Sequence, residues 1–154
     1  MKIQRGFTLV EVSVATSIVI ILLGFIVINL THSQQTASLT SIEEILVTDL
    51  RQQQLKAMVG DTEGRVTSGS YEIHFTSDQY ILFHGSIYSS SDTSNSAINL
   101  DDNMQFNNPN YDIVFSKLSG TTSATIIELQ DNTNSKLKRI HLNVLGVVIM
   151  VESL

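Results

Sequence analysis

The sequence of 154 residues contains no cysteine, no tryptophan and a single proline. Without cysteine the chain has no disulfides, no thiolate metal ligands and no cysteine nucleophile. Charged residues are scarce at 16%, while hydrophobic residues reach 42%. The net charge of -6 argues against a surface that binds nucleic acid or anionic lipid throughout. A chain of this length has room for one domain, and the composition is typical of a polar domain joined to an apolar segment.

The charges are almost missing from the first forty residues. Lys2 and Arg5 precede the run FTLVEVSVATSIVIILLGFIVINL at residues 7–30, in which Glu11 is the only charged residue. As a helix this run would extend about 36 Å, whereas the hydrocarbon core of a bilayer is about 30 Å thick. It is longer than the apolar region of a secretory signal, and no A-x-A cleavage site follows it. We therefore predict a single transmembrane helix at 7–30 that the protein retains, with a cytoplasmic amino terminus and an extracytoplasmic remainder.

Glu11 is an unusual residue for such a run, because a carboxylate inside the bilayer costs about 2 to 3 kcal/mol near a helix centre. One explanation places its side chain at headgroup depth, where it meets water. The neighbouring residues indicate another. The stretch Arg5-Gly6-Phe7-Thr8-Leu9-Val10-Glu11 resembles the class III signal of type IV pilins and pseudopilins. That signal has a short basic leader ending in Gly, then Phe, then Glu at the fifth mature position before a long apolar helix.

This resemblance implies how the amino terminus is processed and used. Prepilin peptidase would cut after Gly6, remove the leader 1–6 and methylate the new amino terminus at Phe7 to give N-methylphenylalanine. The Phe7 amine of one subunit and the Glu11 carboxylate of another would pair within a bundle of packed helices, which offsets the cost of burying both charges. The implied partners are other pilins or pseudopilins, prepilin peptidase, the inner-membrane assembly platform and the membrane. The resemblance implies no cofactor.

The helix is expected to continue beyond the apolar run, through residues 31–59. Apolar residues there follow the spacing of one helical face: Leu39, Ile42, Leu46, Leu50 and Ala57. Gly60 provides a left-handed cap and therefore the predicted end. Many major pilins have a helix-bending proline in the membrane half. This chain has none there, and its absence favours a minor pilin or a pseudopilin.

Residues 60–154 change from a helical period to a period of two, which predicts half-buried strands. The predicted strands are centred on 71–75, 80–82, 111–115, 124–129, 136–144 and 147–151, with an exposed polar loop at 89–96. In the terminal hairpin, Ile140, Leu142 and Val144 are predicted to face the core. The expected fold is α+β and pilin-like, with a long N-terminal helix packed on an antiparallel β-sheet domain. The strand order, with IVFSKLSGTTSATIIEL before the hairpin IHLNVLGVVIMV, is similar to that of the GspH/FimT group of minor pilins and pseudopilins.

Elsewhere the sequence offers little chemistry. The histidines show no metal-ligand spacing, and Asp101 and Asp102 are more typical of a turn than of a calcium loop. No G-x-S-x-G elbow or equivalent occurs. We therefore predict no catalytic residues, no metal site and no enzyme.

The basic cluster Lys136, Lys138 and Arg139 has two interpretations. Some members of the GspH/FimT group bind DNA through basic residues near the C-terminal end, and this cluster resembles that arrangement. However, alternation along a strand places Lys136 and Lys138 on one face and Arg139 on the other, within an acidic domain. The pattern therefore favours solvated edge-strand charges that discourage aggregation over a DNA contact.

Together these observations predict a structural subunit of a type IV pilus, a type II secretion pseudopilus or a competence pseudopilus. The alternative is a membrane-anchored extracytoplasmic binding module that does not polymerise, with DNA as a candidate ligand of the basic cluster. Glu11 distinguishes the two, since only an assembling subunit needs it.

Overall fold

The computed structural model of the chain describes residues 8–85 and 87–154, with the side chains of 24–36 left out. The leader 1–6 and Phe7 lie outside the described residues. The chain divides into two compact units, Met1–Ser38 and Leu39–Leu154. One helix, α1 (Leu9–Val59), contributes to both of them.

The end of α1 confirms the predicted cap. Gly60 has a φ of 67°, a left-handed conformation that glycine adopts without the steric cost of a Cβ. The N–H of Asp61 donates to the carbonyl of Lys56 at 3.0 Å, and the N–H of Gly60 donates to that of Ala57 at 3.2 Å. The helix therefore stops at the residue that the sequence predicts.

The unit Leu39–Leu154 contains two four-stranded antiparallel sheets, whereas the sequence predicts one. The first has the strand order β3-β2-β1-β5 and the second β4-β6-β7-β8. The strands are β1 (Tyr71–Phe75), β2 (Gln79–His84), β3 (Ser96–Asn99), β4 (Met104–Phe106), β5 (Tyr111–Phe115), β6 (Thr125–Asp131), β7 (Lys136–Leu142) and β8 (Val148–Ser153). The six long strands are those that the sequence predicts. The two short strands, β3 and β4, are not predicted, because three or four residues cannot establish an alternating pattern.

One core joins the helix to both sheets. The predicted helical stripe is confirmed, since Leu39, Leu46, Leu50 and Ala57 are buried and Ile42 packs against them. Their partners include Ile73 and Phe75 from the first sheet, and Ile127, Leu129 and Ile140 from the second. The helical residues of this unit thus pack against antiparallel sheets, giving the α+β, pilin-like fold that the sequence predicts.

Three details differ from the sequence-based predictions. Val144 is 59% exposed, because β7 ends at Leu142 and the chain has already entered the turn. Alternation along 71–75 predicts a polar strand face for Glu72, but this residue is 1% exposed and its carboxylate accepts a hydrogen bond from the Ser70 hydroxyl at 2.9 Å. Strand β7 lies between β6 and β8, so its charges are not on an edge strand.

Candidate functional site

The described part of the amino-terminal motif forms a capping box at the start of α1. Thr8 precedes the first helical residue, and its backbone N–H and its hydroxyl each donate to Glu11 Oε2 at 2.9 Å. In return, the N–H of Glu11 donates to the Thr8 hydroxyl oxygen at 3.3 Å. This reciprocal bonding satisfies two of the N–H groups that a helix start leaves without partners. Glu11 therefore has a local role within its own helix.

This local role differs from the two predicted for Glu11, contact with water at headgroup depth and pairing with a neighbouring subunit. It could be predicted from the sequence, because Thr8-Leu9-Val10-Glu11 matches the T-x-x-E pattern of a capping box. Both bonds to Glu11 engage the same oxygen, Oε2. A carboxylate has about four acceptor positions, so the cap uses only part of its capacity. Capping and pairing with an amine are therefore compatible functions of one side chain.

After the cap, α1 presents apolar side chains without protein cover. Every described residue from 8 to 23 is exposed. Ten of these are large and apolar: Leu9, Val10, Val12, Val14, Ile18, Val19, Ile20, Ile21, Leu22 and Leu23. The predicted transmembrane segment 7–30 includes residues whose side chains lie outside the described set. Over the residues that are described, no helical stretch meets the length and apolarity needed to cross a membrane.

Two cations of the predicted basic cluster are engaged in ion pairs. Lys138 Nζ lies 2.8 Å from a Glu43 carboxylate oxygen, and both side chains are mostly buried. Arg139 Nε donates to Glu128 Oε1 at 2.7 Å, on the directly opposite position of β6. Hydrogen bonds from Arg139 and Asn107 lower the pKa of Glu128. Lys138 thus joins β7 to α1, and Arg139 joins β7 to β6.

Two histidines lie beside carboxylates on the sheets. His74 Nδ1 is 2.6 Å from Asp112 Oδ1, and the His74 ring stacks on Tyr88 at a centroid distance of 4.2 Å. His141 Nε2 is 3.6 Å from Glu152 Oε2 on the neighbouring strand. Among the described residues, no three His, Asp or Glu side chains come close enough together to hold a metal ion.

The acidic and amide-rich segments are held together as turns. The Asp101 carbonyl accepts the N–H of Met104 at 2.8 Å, as in a β-turn. Asp131 is fully buried and accepts hydrogen bonds from Asn103, Thr133 and Asn134. Burial alone would raise the pKa of Asp131, but these hydrogen bonds outweigh it and the pKa is lowered. Side-chain and backbone amides thus supply hydrogen bonds to this buried carboxylate.

Comparison with known families gives one match. The family described as the prokaryotic N-terminal methylation motif matches residues 1–27. No curated protein and no solved structure matches the chain. The matched segment contains Gly6 and Phe7 as well as the capped helix start at Thr8 and Glu11.

This match supports a place in the pilin and pseudopilin family. It also supports processing and methylation of a type IV pilin-like subunit by prepilin peptidase. The same motif implies that the amino-terminal segment anchors the protein in a membrane. Proteins with this motif are structural subunits that associate with other pilins. The α+β architecture of residues 39–154 is consistent with that class.

Proposed function

We propose that this chain is a minor pilin or pseudopilin of the GspH/FimT type, cut after Gly6 and methylated at Phe7. Its N-terminal helix enters the core of a type IV pilus or of a secretion or competence pseudopilus. The membrane holds the unassembled subunit with its globular domain on the extracytoplasmic side. The assembly platform extracts it and packs it against other subunits.

The observation that carries this proposal is the Glu11 carboxylate at the start of α1, where every described residue from 8 to 23 is exposed. Exposed apolar side chains over four turns need lipid or other helices to cover them. Glu11 lies in the first turn, four residues after Phe7, where cleavage would create a cationic amine. The cap holds Oε2 towards Thr8, and Oε1 provides acceptor positions for the Phe7 amine of a neighbouring subunit.

The experiment separates the charge of Glu11 from its capping role. Glu11→Gln keeps a side chain that can complete the capping box but removes the charge, whereas Thr8→Val removes the capping hydroxyl and keeps the charge. In the native host we expect Glu11→Gln to reduce incorporation into sheared filaments or crosslinked pseudopili at least tenfold. The reason is that an unpaired charge in an apolar bundle costs about 3 to 5 kcal/mol. Thr8→Val should assemble at close to the parental level.

Cleavage and membrane abundance provide the controls. Mass spectrometry should find a chain that begins at methylated Phe7 in the parent and in both variants, and immunoblots should show equal amounts in membranes. If Glu11→Gln assembles as well as the parent, the anchored binding module is the better description. A leader that stays uncut beside an active prepilin peptidase would overturn the family assignment itself.

A further inference from the structure

Strand β8 forms an open edge of the second sheet. It pairs with β7 on one side, and no described strand lies on the other. Natural edge strands are usually protected by lysine, proline or a covering loop. Residues 144–154 contain no lysine and no proline, and Glu152 is their only charged residue. Seven apolar side chains are exposed there: Val144, Leu145, Val147, Ile149, Met150, Val151 and Leu154.

The hydrogen-bond register shows which backbone groups face outward. Leu137 and Leu154 exchange both of their backbone hydrogen bonds, at 3.0 and 2.8 Å. Hydrogen-bonded and non-hydrogen-bonded pairs alternate along an antiparallel ladder, so Lys138–Ser153 and Ile140–Val151 are non-hydrogen-bonded pairs. The N–H and C=O groups of Val151 and Ser153 therefore point away from β7. They form the template that an additional strand requires.

A groove of about 550 Å³ lies beside this edge. One wall is β8 and the other is α1, and Val47 and Thr48 lie between the charged residues Glu44 and Arg51 on the helix wall. The Lys138–Glu43 ion pair brings this part of α1 close to the Ser153 end of β8. The side-chain amide of Gln54 donates a hydrogen bond to the carbonyl of Leu145, which lies just before the start of β8. The helix and β8 thus run in opposite directions, with Glu44 towards the strand's end and Arg51 towards its start.

We propose that this groove binds an extended segment of another polypeptide, which adds a fifth strand antiparallel to β8. The backbone of that segment would bond to Val151 and Ser153, and its inward side chains would cover Val47 and Val151. The added strand runs parallel to α1, so its N-terminal end lies near Glu44 and its C-terminal end near Arg51. Charge complementarity therefore requires a basic residue at the N-terminal end of the added strand and an acidic residue at its C-terminal end.

The charge pattern argues against a second copy of this chain as the occupant. A second β8 would supply Glu152 near its C-terminal end but no basic residue at its N-terminal end, so it meets one of the two charge requirements. The occupant is therefore a different polypeptide with a basic, alternating apolar and then acidic sequence. This inference rests on residues 39–154 alone and does not depend on assembly through the N-terminal helix.

A synthetic peptide tests the proposal with the full-length protein in detergent micelles. The probe is dye-labelled Lys-Thr-Val-Thr-Ile-Thr-Glu with blocked ends, and its matched control has the Lys and Glu exchanged. Fluorescence anisotropy should show the probe binding at least tenfold more tightly than the control. Arg51→Glu should remove or reverse this preference, whereas Gln52→Glu, which adds negative charge on an exposed helical position outside the groove, should not.

A backbone variant tests the strand pairing itself. Val151→Pro removes an outward N–H without breaking the ladder to β7, and Val151→Thr keeps that N–H while reducing the apolar surface similarly. Probe affinity should fall at least tenfold in Val151→Pro relative to Val151→Thr. Equal binding of probe and control peptides, equal affinity of the two Val151 variants, or binding to neither peptide overturns the proposal. So does a dimer that Val151→Pro dissociates, because a second copy is then the occupant. If circular dichroism shows that Val151→Pro does not fold, the Arg51→Glu result decides.

Discussion

His84 is an example of a titratable side chain with an unusual environment. Its ring stacks on Tyr71 with centroids 4.5 Å apart, and both ring nitrogens are buried without a hydrogen-bond partner. A Cβ added at Gly69 would lie 2.8 Å from His84 Nε2, so glycine permits this close approach. Burial lowers the pKa of His84, and the nearby positive charge of Arg65 lowers it further. The folded protein therefore favours the neutral ring.

This environment makes stability depend on pH. Since the pKa of His84 is lower in the folded than in the unfolded state, the unfolded chain takes up a proton first as the pH falls below about 6.5. The free energy of unfolding should therefore decrease as the pH falls below about 6.5. His84→Phe keeps the stacking on Tyr71 but cannot be protonated. Urea denaturation should show a smaller decrease for this variant, and an unchanged pH profile would contradict the prediction.

At the scale of single elements, Lys138 attaches strand β7 to helix α1. The side chains of Lys138 and Glu43 are only 16% and 13% exposed, whereas those of Arg139 and Glu128 are 38% and 20% exposed. A charged hydrogen bond that is shielded from water contributes more than one at the surface. The basic cluster thus contains cations of unequal structural importance.

Alanine substitutions measure this difference. We expect Lys138→Ala to lower the free energy of unfolding by about 1.5 to 3 kcal/mol, because it leaves the Glu43 carboxylate buried without its cation. Arg139→Ala, the matched control on the same strand, should cost less than about 1 kcal/mol. Chemical denaturation of both variants tests the ranking. Equal losses of unfolding free energy in the two variants would contradict the prediction that the Lys138–Glu43 pair contributes more to stability than the Arg139–Glu128 pair.

The sequence predicts those helices and strands whose apolar pattern repeats over several residues close together in the chain. The buried stripe of α1 repeats over several turns, and strands such as β1 alternate over five residues, so both are predicted correctly. The partner of each strand is not encoded in its own alternation. For this reason the sequence predicts one sheet where the chain forms two, and it predicts an edge position for β7, which lies inside the second sheet.

The same distinction applies to the candidate site. The motif around Gly6, Phe7 and Glu11 is contiguous, so it could be found from the sequence alone. The Thr8–Glu11 cap is equally local and could have been found in the same way. In contrast, the partner of Lys138 lies on α1, far away in the sequence. The spacing of the residues in the basic cluster does not indicate that Lys138 forms an ion pair with Glu43.

At the scale of the whole molecule, the unit Leu39–Leu154 contains its own core. The buried core residues that the structure describes, from Leu39 to Leu142, all fall within it. A chain that begins at residue 37 retains every one of these contacts. It should therefore fold without the exposed apolar part of α1.

Thermal denaturation in matched detergent tests this expectation. The truncated chain should show the circular dichroism of an antiparallel sheet with one helix, and one cooperative transition within a few degrees of the full chain. Removal of residues 1–36 should also abolish association with membranes, because the apolar helix is lost. A broad transition, or loss of the sheet signal, would show that the core needs residues outside Leu39–Leu154.

The order of the strands has a consequence for a chain that is cut. The central strands of the first sheet, β1 and β2, precede the polar loop at 89–95, whereas the flanking strands, β3 and β5, follow it. A protease that nicks this loop would leave an N-terminal fragment whose two strands are held on both sides by the C-terminal fragment. The pieces could separate only by breaking two ladders and the shared core together. A protein cut in this loop should therefore remain folded under native conditions, and its two fragments should separate only in denaturant.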